Sequence, residues 1–256
     1  HESMPPSLHD AVASGDVALA TKLIDASLAS NGGAHASRNT AVMDRAGDIM
    51  GRTALHVAAE KGHVGMVEFL VGECQAEVNA RDSQGARPMH YAAEGNKVEA
   101  LDALLRNGAK VTMADDQGEL PMHWACARGS LDACESLLRA GVSPTVPTKK
   151  SGWTPMHVAA LNGRAELLDA LIARIRKTRG DTELIAAMNA PLPTNGRTAL
   201  HLAATNAKLG AIETLTNAGA DPEARDSNGL RPADMTLNAG VRSLLGARTV
   251  GGGCGV

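Results

Sequence analysis

Aromatic side chains are nearly absent: Phe69, Tyr91, Trp124 and Trp153 make up 2% of the 256 residues. A core without rings must be filled by Leu, Val, Ile, Met and many Ala. Small side chains let helices approach closely, so a helical protein is favoured over a β-sandwich. Excess basic charge is missing too. Against 28 Asp and Glu stand 25 Lys and Arg, a net charge of −3, which argues against a dedicated nucleic-acid or membrane-surface binder. No apolar run approaches the ~20 residues that span a bilayer, and no N-terminal stretch reads as a signal peptide. Cys74, Cys126, Cys134 and Cys254 lack the close paired spacing of a zinc site or a disulfide framework. Three of them lie in apolar helical patterns and are expected to be reduced core thiols, pointing to a cytoplasmic or nuclear compartment.

Catalytic signatures are equally scarce. The sequence has no Gly-x4-Gly-Lys-Ser/Thr, no His-Glu-x-x-His and no Gly-x-Ser-x-Gly. Gly251-Gly252-Gly253 follows the last apolar pattern and reads as part of a flexible tail over 247–256. No enzyme, cofactor or metal site is expected.

What the sequence does have is a repeated phrase: Thr53-Ala54-Leu55-His56, Arg87-Pro88-Met89-His90, Leu120-Pro121-Met122-His123, Thr154-Pro155-Met156-His157 and Thr198-Ala199-Leu200-His201. Its histidines are 34, 33, 34 and 44 residues apart. A copy is also read at Ser7-Leu8-His9, and Asp234 takes the histidine's place in a degenerate last copy, Arg231-Pro232-Ala233-Asp234. At 8, 11, 14 and 15 residues beyond each histidine apolar side chains recur, as in Val64/Val67/Leu70/Val71 and Leu131/Cys134/Leu137/Leu138. Spacing of 3, 3 and 1 draws a single stripe on a helix. Gly15, Gly62, Gly129 and Gly163 stand where a first helix would end in a left-handed turn. Asn96 suits that position, and Ala207 does so only at a cost. Thr before the first helix can cap it, and Pro beside it fits the first helical turn.

A helix pair followed by a Gly-centred turn, with a Thr-Pro-Leu-His-x-Ala-like phrase in register, closely resembles the ankyrin repeat family. The resemblance implies an all-α solenoid of about seven stacked helix-turn-helix repeats with β-hairpin-like turns. A single domain is expected over 4–250, with repeats near 5–26, 48–79, 80–111, 112–144, 148–175, 190–222 and 223–246. Two insertions break the period, at 27–47 and 176–193. The first reads as a polar loop; the second as an extended helix, then a short helix after Gly180, and it carries Arg174, Arg176, Lys177 and Arg179 at its edge.

Histidines at this period fall one repeat apart, about 10 Å if helices pack normally, too far to share a metal whose ligands lie at ~2.0–2.3 Å. His9, His56, His90, His123, His157 and His201 are therefore expected to be structural, bonding backbone between adjacent repeats as the resemblance implies.

By the same resemblance the turn tips and first-helix faces line a concave side that binds another protein. The positions flanking the turn glycines and following Ala-Ala place there Arg52, Glu60, Lys61, Gln84, Glu94, Asp116, Glu119, Arg128, Lys150, Trp153, Asn162, Arg197 and Asn206. Trp153 stands out as a candidate anchor, since Trp and Arg dominate binding energetics. Tyr91 and Trp124 are read as mainly structural. Charge is uneven: residues 1–128 carry 11 basic and 17 acidic side chains, residues 129–256 carry 14 and 11, an asymmetry suited to steering a charged partner. The expected protein is a monomeric, non-enzymatic interaction scaffold that binds neither nucleic acid nor membrane. Arg52–His56, Gly62-His63 and Val67–Leu70 are also similar to gankyrin-type proteasome assembly chaperones, whose client would be a proteasomal ATPase. Glu77-Val78-Asn79-Ala80 resembles loops in which ankyrin asparagines are hydroxylated.

Overall fold

The computed structural model describes residues 7–30 and 49–246. Among these, every regular element is helical: α1 (Leu8–Ser14), α2 (Val17–Ser30), α3 (Ala54–Lys61), α4 (Val64–Gly72), α5 (Pro88–Glu94), α6 (Val98–Arg106), α7 (Pro121–Arg128), α8 (Leu131–Arg139), α9 (Pro155–Asn162), α10 (Ala165–Met188), α11 (Ala199–Thr205), α12 (Leu209–Ala218), a 3-10 turn (Pro232–Met235) and α13 (Ala239–Gly246). They form seven successive pairs. In the second to the sixth, the first helix carries the histidine phrase and the second the apolar stripe. The chain divides into two compact units, His1–Trp124 and Ala125–Val256, with the division inside α7.

In the first unit α3 packs against α1 and α5, and α4 against α2 and α6. In the second, α9 packs against α11, α11 against the 3-10 turn, and α10 against both α8 and α12. First helices thus stack on first helices and second on second. Paired alanines make this possible. Ala58, Ala59, Ala92 and Ala93 are fully buried, as are Ala159, Ala160, Ala203 and Ala204. The stripe residues Val67, Leu70, Leu101, Leu104, Leu168, Leu171, Ile212 and Leu215 are all completely inaccessible. Truncating any one of the leucines to Ala would cost about 2–5 kcal/mol.

The turns are hairpin-like in bonding, although no strand forms among the described residues. Asp82 N–H donates to Ala86 O (3.0 Å), Asp115 N–H to Glu119 O (2.9 Å) and Asp226 N–H to Leu230 O (2.9 Å). Adjacent tips are joined backbone to backbone. Ser83 N–H donates to Met50 O, Asp116 N–H to Gln84 O, and Ser227 N–H to Asn195 O.

Both irregular segments have a local cause. Helix α2 continues to Ser30, four residues into the segment expected as a loop from 27; residues 31–48 lie outside those described. Helix α10 has 24 residues, against 9 or 10 in α4, α6, α8 and α12, and Gly180 (φ 84°, ψ 175°) interrupts it. Leu184 and Met188 beyond that break are buried, so the short second segment is anchored by its own apolar face. In the last repeat the shortfall lies in the first helix, which is a single 3-10 turn. Its second helix is eight residues long and buries Val241 and Leu245.

Candidate partner-binding surface

The histidines are spent inside the fold. Backbone N–H of Thr53, Arg87, Leu120, Thr154 and Thr198 donates to Nδ1 of His56, His90, His123, His157 and His201 at 3.0–3.3 Å. This satisfies one free donor at the start of each first helix. An Nδ1 that accepts leaves the proton of the neutral ring on Nε2. Nε2 then donates across to the next repeat: His56 to Ala86 O (3.2 Å), His90 to Glu119 O (3.1 Å) and His201 to Leu230 O (3.0 Å). His157 reaches Ala190 O (3.0 Å) instead, ahead of its hairpin, in the repeat that follows the insertion. Burial pushes His90 and His157 down to about 4 and also lowers His201. All three rings are neutral near pH 7.

His9 is the exception, and the register read there is off by one. His9 is exposed, while Ser7 N–H donates to Asp10 Oδ2 (2.9 Å), as Thr53 does to His56. Asp10, not His9, fills the slot. Asp234 fills it in the last repeat, accepting from Arg231 N–H at 3.0 Å.

The turns are held by a second device. Asp82 Oδ1 accepts from Gln84 and Ala86 N–H, and Asp115 Oδ1 from Gln117 and Glu119 N–H. Their other oxygens take Tyr91 OH (2.6 Å) and Trp124 Nε1–H (3.0 Å). The two rings meet edge to face at 5.5 Å, with His56 and His90 beside them. Where the hairpin starts at Thr148 or Leu192, the residue after the histidine is Val158 or Leu202, with no donor to offer. Asp226 has the anchor of its turn but no aromatic partner, and Arg197 of the preceding hairpin lies 3.5 Å away instead. Asn79 and Asn189 tie neighbouring loops, their Oδ1 atoms accepting from Lys110 and Asp221 N–H.

Against this framework the expected surface residues separate into two groups. Gln84, Lys61, Asp116, Arg128, Lys150 and Asn206 are exposed. Arg52, Glu60, Glu94, Glu119, Trp153, Asn162 and Arg197 are half-buried. Arg52 pairs with Glu60 (2.7 Å) and lies over the Tyr91 ring at 5.5 Å. Asp116 pairs with Arg81. Asn162 and Asn206 each donate to the carbonyl four residues back, Val158 and Leu202. Burial, with Asp115 nearby, raises the Glu119 carboxyl. Trp153 packs edge-on against His157 at 6.3 Å, and its backbone N–H donates to Thr148 Oγ1. Its indole belongs as much to the framework as to the surface. Sequence reasoning missed Asp82, Asp115 and Asp226 as turn anchors; their signal was the nine-residue interval from Asp82 to Tyr91 and from Asp115 to Trp124.

Among the described residues no group of His, Cys, Asp and Glu could hold a metal, and no helix is long and apolar enough to cross a membrane. Cys74, Cys126 and Cys134 are buried free thiols; burial pushes Cys126 well up, against the thiolate a nucleophile needs.

Stacked helix pairs of one repeated phrase, bonded tip to tip, define a helical repeat protein. The family model for ankyrin repeats matches in three overlapping copies, at residues 8–115, 90–181 and 122–226. The chain belongs to the ankyrin repeat family. It is 48% identical over 63 residues to human neurogenic locus notch homolog protein 2, covering 25% of this chain and 2% of that protein. To alpha-latrocrustotoxin-Lt1a of Latrodectus tredecimguttatus it is 27% identical over 190 residues, 73% of this chain and 10% of the toxin. The chain thus spans a small fraction of these relatives. Among solved structures, the human ASB11 ankyrin repeat domain superposes with TM-score 0.70 at 25% identity, covering 98% of this chain and all of that one. The ankyrin repeat domain of Bcl-3 has TM-score 0.65 at 24% identity, covering 95% and 99%. Ankyrin repeat domains in general mediate protein–protein interaction.

Proposed function

We propose that each of the two units binds a partner protein through the turn tips and the C-terminal ends of its own first helices. One observation carries the reading. Residues that repeat are buried and bonded within the fold, whereas the exposed residue two before a turn glycine differs from repeat to repeat: Ser83, Asp116 and Lys150 offer a hydroxyl, a carboxylate and an ammonium. Tips bonded by backbone, as Ser83 is to Met50 and Asp116 to Gln84, present their side chains with little ordering cost on binding. Specificity then resides in the side chains and not in the backbone. No catalytic step is assigned. Of the words shared with gankyrin-type chaperones, Arg52 pairs with Glu60 and Glu68 with Arg106, and Thr53 to His56, Gly62-His63, Val67, Phe69 and Leu70 serve the cap, the turn and the core, so they carry no argument for a proteasomal ATPase client.

The test is quantitative affinity purification with a tip variant, Gln84→Ala/Lys150→Ala, and an outer-helix control, Glu99→Ala/Glu213→Ala. A partner retained by wild type and control but lost with the tip variant is expected. Loss with the control alone would overturn the choice of side, and a proteasomal ATPase as the partner lost would establish the chaperone reading after all.

A further inference from the structure

Beyond the tips, we infer that a groove between second helices α8 and α10 docks an acidic amphipathic segment of another protein. The groove has a volume of about 340 Å³. Leu138, Ala170 and Ala173 give it an apolar floor, and Arg139, Arg174, Lys177 and Glu135 surround it. Three cations thus face one carboxylate. Arg174 is fixed in place, its Nη2 donating to Leu138 O (3.1 Å) at the C-terminal end of α8. Arg139 and Lys177 are exposed and have no ion-pair partner among the described residues, although Glu135 lies one turn before Arg139.

Lys177 is present only because α10 outruns the other second helices. A helix ending after 9 or 10 residues, like α8 or α12, would stop short of Arg176. The extension is held in a defined position. Arg179 donates to Thr145 Oγ1 (3.2 Å) and Ser143 Oγ (3.0 Å), both neutral, so its charge is uncompensated too. Arg176 alone pairs, with Asp181 at 2.8 Å.

Charge and floor together select the occupant. Unpaired cations attract a negative partner, and an apolar floor rewards aliphatic side chains set among its acids. A nucleic acid fits less well: no aromatic lines the groove to stack on a base, and Glu135 would face phosphate. This surface lies on the second helices, so it is independent of the tip-binding reading and can stand or fall alone.

The experiment uses the intact chain and a fluorescein-labelled peptide of Glu and Leu, with Leu at i, i+3, i+4 and i+7. Saturable binding is expected, weakened tenfold or more by Arg139→Glu/Lys177→Glu and by raising salt. Amide shift changes should concentrate on 135–139 and 170–177. Circular dichroism reports whether the variant stays folded, and Arg139→Gln/Lys177→Gln supplies a milder pair with an intermediate loss. A Lys/Leu peptide should not bind. The inference is overturned if the Glu/Leu peptide fails to bind, if the charge-reversed protein binds it equally, if replacing Leu by Ser changes nothing, or if a 20-nucleotide single strand binds more tightly than the peptide.

Discussion

His201 and Asp234 occupy the same step of consecutive repeats, and comparing them shows what the slot requires. Each accepts a backbone N–H at the start of its first helix, from Thr198 at 3.2 Å and from Arg231 at 3.0 Å. His201 also has a donor left over, which it gives to Leu230 O in the repeat that follows. Asp234 is exposed and begins the last described repeat, with no following repeat to reach among the described residues. An acceptor alone is enough for the cap; a side chain that accepts and donates is needed where one repeat must be tied to the next. The histidine ladder is therefore a joint between neighbours, and its chemistry is neutral imidazole.

Replacing the donor should break the comparison most severely. His157→Asp keeps an acceptor for Thr154 N–H but buries a carboxylate and strands Ala190 O. The expected loss is about 3 kcal/mol or more by denaturant unfolding. Asp234→Ala removes an exposed cap and its exposed pairing with Arg231, and should cost far less. Equal losses would show that the slot does the same work in both places.

Acid should separate them next. His90 and His157 are lowered in the folded protein, so the native state resists the protons that the unfolded chain takes up. Their stabilisation is whole above the unfolded value near 6.5 and is lost as pH falls from there towards about 4. For His90 and His157 the full loss is on the order of 3 kcal/mol each. Asp234 is held down to about 2 by the bond from Arg231 and keeps its charge over that range. Chemical denaturation between pH 7 and 4.5 should show the denaturant midpoint falling, and His90→Gln should flatten that dependence.

A smaller effect attaches to the turn anchor. Tyr91→Phe leaves Asp82 Oδ2, in a buried residue, without its 2.6 Å donor, and about 1–3 kcal/mol should be lost. The smallest concerns the left-handed turn after each first helix. Gly163 (φ 71°) lies under Lys208, whose Cδ would be 2.7 Å from any added Cβ; Ala207 holds φ 50° without glycine's freedom. Ala207→Gly should stabilise by about 0.5–1 kcal/mol in thermal unfolding, whereas Gly163→Ala should destabilise.

The repeat, the stripe and the central histidines could be read in the sequence because each is a spacing rule that several copies restate. The first repeat could not be placed to the residue. Matching the letter His put His9 in the slot, while the bond geometry needs the third residue of the helix, which is Asp10. The tips were legible as positions but not as surroundings: nothing local to Trp153 says that its ring turns onto His157, or that Arg52 reaches over Tyr91 from another repeat. Those contacts follow from stacking, which a one-dimensional pattern does not carry.

Rigid display at the tips depends on the joints beneath them, so the ionisation of the ladder tests the account most directly. Nitrogen-15 NMR of the imidazoles at pH 7 should show Nε2 protonated and Nδ1 bare in His90, His157 and His201, with His90 and His157 titrating near 4. A ladder of rings that titrate at the ordinary value near 6.5, or that carry the proton on Nδ1, would contradict it.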